Sequence, residues 1–91
     1  MTEDLSFKPD ELPEDRSLII VDDDRAFFLF LVRAMEQRGF LVRSAFTVSE
    51  GIDLVRQSPP AFAVIDLRLE DGNGLDVIEA DEHLDWQLLR L

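Results

Sequence analysis

The chain has 91 residues, a length suited to one small domain, and its 46% apolar content with seven Phe is enough to build a core. Twenty acidic residues against nine Lys and Arg give a formal charge of −11, which argues against direct contact with nucleic acid phosphates or an anionic membrane surface. Cysteine is absent, so disulfides, thiolate metal sites and a cysteine nucleophile are excluded together.

Residues 1–16 carry six acids, Pro9 and Pro13, with only Leu5, Phe7 and Leu12 as sizeable apolar groups, and are read as a flexible acidic leader. The start lacks the basic-then-apolar build of a signal peptide, and no apolar run approaches the ~18–20 residues that span a bilayer, so a cytoplasmic protein is expected. From Leu18 onward, short β-branched apolar runs alternate with longer stretches of helical spacing, the pattern of parallel strands joined by crossover helices.

The first strand is Leu18 to Val21. A helix is predicted from Arg25 to Arg38, with Phe28, Leu31, Val32 and Met35 spaced as one buried face and Gly39 as a left-handed cap. The second strand runs from Leu41 to about Phe46, and Thr47 and Glu50 stand three apart as a capping box should. The helix they open turns Val48, Ile52 and Val55 inward and is stopped by Ser58-Pro59-Pro60. The third strand is Ala61 to Ile65, followed by a tight loop, Glu70-Asp71-Gly72-Asn73-Gly74, whose glycines and Asn tolerate positive φ. From Leu75, the residues Val77, Ala80, Leu84, Leu88 and Leu91 recur at three or four, which predicts one amphipathic helix to the last residue.

Asp22-Asp23-Asp24 follow the first strand directly and Asp66 follows the third. In an open parallel sheet the ligand crevice lies beyond the carboxyl ends of the strands, so these acids converge. Converging carboxylates repel unless a cation sits among them. Magnesium takes about six oxygens but only one or two carboxylates directly. Asp23 and Asp66 suit that role, with Asp22 acting through water. A carboxylate can also attack a phosphoryl group, provided cationic groups neutralise the transferring oxygens. Asp24 reads as the cap of the first helix, where an acid is worth ~0.3–1 kcal/mol.

The blocks Leu18-Ile19-Ile20-Val21-Asp22-Asp23-Asp24 and Ala63-Val64-Ile65-Asp66-Leu67-Arg68-Leu69, with Asn73-Gly74-Leu75 downstream, resemble the receiver domain of bacterial two-component response regulators. Met35 to Phe40 and Pro59 to Val77 are similar to its redox-responsive RegA/PrrA/ActR subgroup, in which Glu70 takes the place of the proline many receivers carry. The resemblance covers Ser17 to Ala80. It implies a flavodoxin-like, doubly wound α/β fold of three βα units with strand order 2-1-3, truncated relative to a whole receiver. It also implies that Asp66 is the phosphoacceptor, that Asp22, Asp23, Asp66 and the Arg68 backbone carbonyl hold Mg2+, and that the partner is a sensor histidine kinase. The chemistry expected is phosphoacceptance, not enzymatic turnover. The resemblance assigns switching to a Thr or Ser and phosphoryl contact to a Lys on later strands. The sequence has neither position, and residues 81–91 form a non-matching tail.

An alternative is a non-switching fragment that binds a kinase or dimerises. Ala26 to Val32 is apolar on every face of its helix, so Leu29 and Phe30 should point outward. They are covered by the leader or a partner chain, or form a homodimer interface. The third strand, left at an edge, is a second apolar surface open to association. A phosphatase of the haloacid dehalogenase type would need an acid two residues after the nucleophile, where Arg68 stands. A calcium loop starting at Asp71 fails because Leu75 occupies a ligand position and Asp76 the required glycine. His83 reads as a surface residue, and Trp86 and the tail leucines as packing groups.

Overall fold

The computed structural model describes residues 14–81. Strand β1 (Ser17–Val21) leads into helix α1 (Arg25–Gln37), strand β2 (Leu41–Ala45), helix α2 (Val48–Gln57) and strand β3 (Phe62–Ile65). Two short strands, β4 (Arg68–Leu69) and β5 (Gly72–Asn73), precede helix α3 (Leu75–Ala80). The three long strands form one parallel sheet in the order β2-β1-β3, as expected.

That order has a physical cause. A right-handed crossover through α1 places β2 on one side of β1, and a second through α2 must pass back over β1 to place β3 on the other. The two helices therefore cover opposite faces. Side-chain alternation serves both: Leu18 and Ile20 pack with Phe28 and Phe40 on the α1 face, while Ile19 and Val21 pack with Val48, Val55 and Val77 on the α2–α3 face. All four β1 residues named are essentially inaccessible to solvent, which explains their uninterrupted apolar run. Phe40 meets Phe62 edge-on at 5.5 Å between centroids, joining the ends of β2 and β3 across the α1 face.

Local signals act largely as predicted. Asp24 caps α1 by accepting the Phe27 N–H at 3.2 Å, and Gly39 follows that helix at φ 93°. Thr47 Oγ1 accepts the Glu50 N–H at 3.1 Å. The reciprocal bond goes one residue earlier than a standard capping box, because Glu50 Oε2 accepts from the Phe46 N–H at 3.3 Å. Phe46 then leaves the ladder, which ends β2 at Ala45. The Ala61 N–H likewise donates to Ser17 Oγ at 2.9 Å, and β3 starts at Phe62. The carboxyl end of α2 is capped from β2, where Arg43 donates to the carbonyls of Leu54 and Ser58.

Four expectations need correction or restriction. The final helix ends at Ala80, because Asp81 is extended at φ −97° and ψ 96°; its projected continuation, with His83 and Trp86, lies outside the described residues. The loop after Asp66 contains a small antiparallel hairpin, pairing Arg68 with Asn73 and Leu69 with Gly72. Within that loop only Gly72 has positive φ; Asn73 does not, and Gly74 lies at φ −58°. At the other end, Asp15 accepts from both the N–H and the hydroxyl of Ser17, and the Arg16 carbonyl accepts from the Leu41 N–H. Residues 15 and 16 are thus tied to the sheet, while residues 1–13 of the expected leader lie outside the described region. No helix among the described residues is long and apolar enough to cross a membrane.

Candidate functional site

The ladders of β1 continue one bond past each strand end. The Asp22 N–H donates to the Ala45 carbonyl at 3.1 Å, and the Asp66 N–H donates to the Val21 carbonyl at 2.8 Å. With Val21 opposite Ile65 in register, Asp22 and Asp66 leave the sheet side by side. This is the point where the chain's crossovers diverge to opposite faces, so no helix closes over it. Asp22, Asp23 and Asp66 each place a carboxylate oxygen within 4.8 Å of the others.

The cluster combines burial with repulsion. Asp22 is only 9% exposed, and that burial pushes its carboxyl above the usual 3.8. The Asp24 N–H, donating to Asp22 Oδ1 at 2.9 Å, opposes the rise, and the charges on Asp66, Asp23 and Asp24 reinforce it. Asp23 and Asp66 are half-buried, and Asp24 is exposed at its cap position. Asp66 Oδ1 accepts the Arg68 N–H at 3.0 Å, which fixes the carboxylate and leaves Oδ2 to other partners. At the rim, the Arg25 guanidinium lies 4.7 Å above the Phe46 ring, a cation–π contact between α1 and the loop after β2.

Oxygen-only donors, gathered closely and electrostatically frustrated, fit a small hard dication. Because Asp22 is raised in the folded chain, its contribution to metal-free stability is present below the ordinary carboxylate value and disappears as pH rises through the raised one. A dication competing with that proton has the opposite trend. The increase in melting temperature caused by saturating Mg2+ should therefore grow with pH across that window, toward the ~2.7 kcal/mol expected at 100 times the dissociation constant. A Mg2+ effect flat with pH in scanning calorimetry would contradict this electrostatic reading.

Two residues contribute in ways the sequence did not assign to them. Gly74 sits where a Cβ would lie 2.1 Å from the Asp66 carbonyl oxygen and 2.6 Å from Ile65 Cγ2, so it is selected by close approach. Its N–H also closes the loop by donating to the Leu67 carbonyl at 3.1 Å. Asp71, read as a loop residue after a calcium loop starting there was rejected, accepts from the N–H groups of Val48 and Ser49. The advance signals were the Asn73-Gly74-Leu75 block for Gly74 and an acidic, Gly-rich loop after Asp66 for Asp71.

A three-stranded 2-1-3 parallel sheet with three carboxylates at its switch point defines a receiver-type α/β domain. The chain belongs to the response regulator receiver domain family, whose model matches residues 18–84. It is 57% identical over 79 residues to the photosynthetic apparatus regulatory protein RegA of Cereibacter sphaeroides, covering 87% of this chain and 41% of that protein. It is 61% identical over 71 residues to the acid tolerance regulatory protein ActR of Rhizobium meliloti, covering 78% of this chain and 37% of that one. The chain therefore spans well under half the length of these relatives. Among solved structures, the non-phosphorylated HemR receiver domain of Leptospira biflexa superposes with a TM-score of 0.67 at 32% identity, over 77% of this chain and 60% of that one. A Burkholderia pseudomallei response regulator with a phosphorylated aspartic acid, calcium ion and citrate gives 0.70 at 26%, over 79% and 45%. These likenesses favour a two-component receiver over a fragment with an interaction role alone.

Proposed function

We propose that Asp66 accepts a phosphoryl group from the phosphohistidine of a sensor histidine kinase in the cytoplasm, at a Mg2+ site formed by Asp22, Asp23, Asp66 and the Arg68 backbone carbonyl. The observation that carries this is the approach of three carboxylates within 4.8 Å at the carboxyl ends of β1 and β3. The phosphorylated aspartic acid and calcium ion of the Burkholderia pseudomallei protein support it. A carboxylate oxygen of Asp66 forms the new P–O bond while the P–N bond of the donor breaks, its electron pair staying on the imidazole. Mg2+, when bound, supplies charge neutralisation on the transferring oxygens. The Arg68 N–H holds the Asp66 carboxylate in place, and Asp22 and Asp23 provide the remaining negative charge that attracts the dication. The product is a modified chain, so the chemistry is self-phosphorylation without turnover.

The test uses a small acyl phosphate donor with the full chain. Mg2+-dependent incorporation is expected, and borohydride reduction should convert position 66 to homoserine. Absence of label, or label mapped to another residue, would overturn the assignment.

Self-association is a second property the surface supports. Leu29 and Phe30 are 55% and 71% exposed, Phe27 is 42% exposed, and β3 pairs only with β1 among the described residues. A homodimer through this apolar surface predicts concentration-dependent mass in sedimentation. Phe30→Glu should weaken it at least ten-fold, since an unpaired charge buried at an interface costs several kcal/mol and ~1.4 kcal/mol already corresponds to ten-fold. A wild-type monomer at every concentration would refute it. With a charge of −11, the chain suits basic partner surfaces and not nucleic acid.

A further inference from the structure

The amino terminus of α2 is satisfied from two directions. Thr47 takes the Glu50 N–H from within the helix's own cap, but the N–H groups of Val48 and Ser49 donate to Asp71, at 2.9 Å to Oδ1 and 3.2 Å to Oδ2. Asp71 lies at the turn of the β4–β5 hairpin, five residues after Asp66. Its carboxylate is held below the usual range by the Val48 N–H, with the Ser49 N–H adding to the effect. It thus stays ionised opposite a positive helix end.

The same hairpin carries Arg68, whose N–H fixes the Asp66 carboxylate and whose backbone pairs with Asn73. Three attachments set the hairpin's position. Leu69 is buried in the core with Val48 and Val77, Gly74 ties the base to Leu67, and Asp71 ties the tip to α2. Leu69 sits in the pair next to the turn and packs into the same core as Val48, so it holds the tip by apolar contact. Among the described residues Asp71 makes the hydrogen bonds between the turn and α2, a helix that contributes no ligand to the carboxylate cluster.

We propose that Asp71 is a positioning residue, clamping the acceptor hairpin to the amino terminus of α2 so that the Arg68 backbone stays in register with Asp66 for a divalent cation. The inference rests on the Mg2+ site proposed above. It makes α2 the element that moves with the acceptor loop: a shift of the Arg68 backbone on cation or phosphoryl binding is transmitted to the Val48 and Ser49 amides.

Amide NMR of the full chain during MgCl2 titration tests this. In wild type, saturable shifts are expected at Asp22, Asp23, Asp66 and Arg68, and with the same midpoint at Val48 and Ser49. Asp71→Ala should weaken Mg2+ binding about ten-fold, the lower end of what removing an outer-shell partner costs, and should uncouple the Val48 and Ser49 shifts. Asp71→Asn keeps one acceptor oxygen and should show the same uncoupling at smaller amplitude, and it carries the test if the Ala variant is unfolded. Glu70→Gln removes a charge from the same turn and reports the electrostatic contribution alone. An Asp71→Ala affinity within two-fold of Glu70→Gln would overturn the clamp while leaving the metal site standing. No saturable shift in wild type would overturn the metal site and the clamp with it.

Discussion

Asp66→Asn should lower phosphoryl incorporation to background, a loss of at least ~100-fold, while leaving the fold intact. The amide is neutral and a far weaker nucleophile than the carboxylate, and it takes one of the three negative charges out of the cluster. Its Oδ1 can still accept the Arg68 N–H, so the hairpin keeps its anchor. The charge on Asp66 contributes to the raised carboxyl of Asp22, and removing it relieves that repulsion. Metal-free Asp66→Asn should therefore melt no lower than wild type, and its response to Mg2+ should shrink. This pairing separates lost chemistry from lost structure. Label retained in Asp66→Asn would mean another residue is the acceptor.

Gly74→Ala should cost about 3 kcal/mol or more, a large share of the ~5–14 kcal/mol available to a chain of this size. The added methyl would lie 2.1 Å from the Asp66 carbonyl oxygen and 3.0 Å from the carbonyl carbon. Both belong to backbone that cannot rotate away, because the Asp66 N–H is bonded to Val21 and the Gly74 N–H to Leu67. Relief requires moving the start of α3 or the end of β3; the first opens the loop that Gly74 closes on Leu67, and the second displaces Asp66 itself. The melting temperature should fall by about 12 °C or more, with phosphoryl incorporation falling in parallel in whatever fraction remains folded. A fall of less than 4 °C would show that the loop can yield. Gly51 makes a useful contrast: a Cβ there meets only side-chain methyls of Val77 and Val21, at 3.0–3.3 Å, which have room to adjust.

Leu18 to Val21 could be recognised as a buried strand because residues covered on both faces must be apolar without alternation, and the same apolar run marked β3, although as an edge strand it is only half-buried. Asp24 and Thr47 could be recognised as caps because a helix start needs a short side-chain acceptor within three residues. The outward positions of Leu29 and Phe30 followed from helical spacing, since only one side of α1 can meet the sheet. The β4–β5 hairpin was not legible, because two-residue strands are too short for any periodicity to register. The end of α3 at Ala80 was hidden by leucines that continue the helical spacing beyond it.

By itself the sequence determined β1, β2, β3, α1 and α2, their alternation and the acids at the strand ends, all of which show in patterns spanning a few residues. Its motif blocks also carried the receiver resemblance. Only the tertiary structure decided that Gly74 must lack a side chain and that Asp71 belongs to α2. Both depend on approaches that no helix or strand spacing sets: Asp71 is 23 residues from Val48, and Gly74 meets the Asp66 carbonyl only when the loop folds back over the end of β3. No local pattern encodes such distances, because they exist only once β1 has brought its neighbours into register.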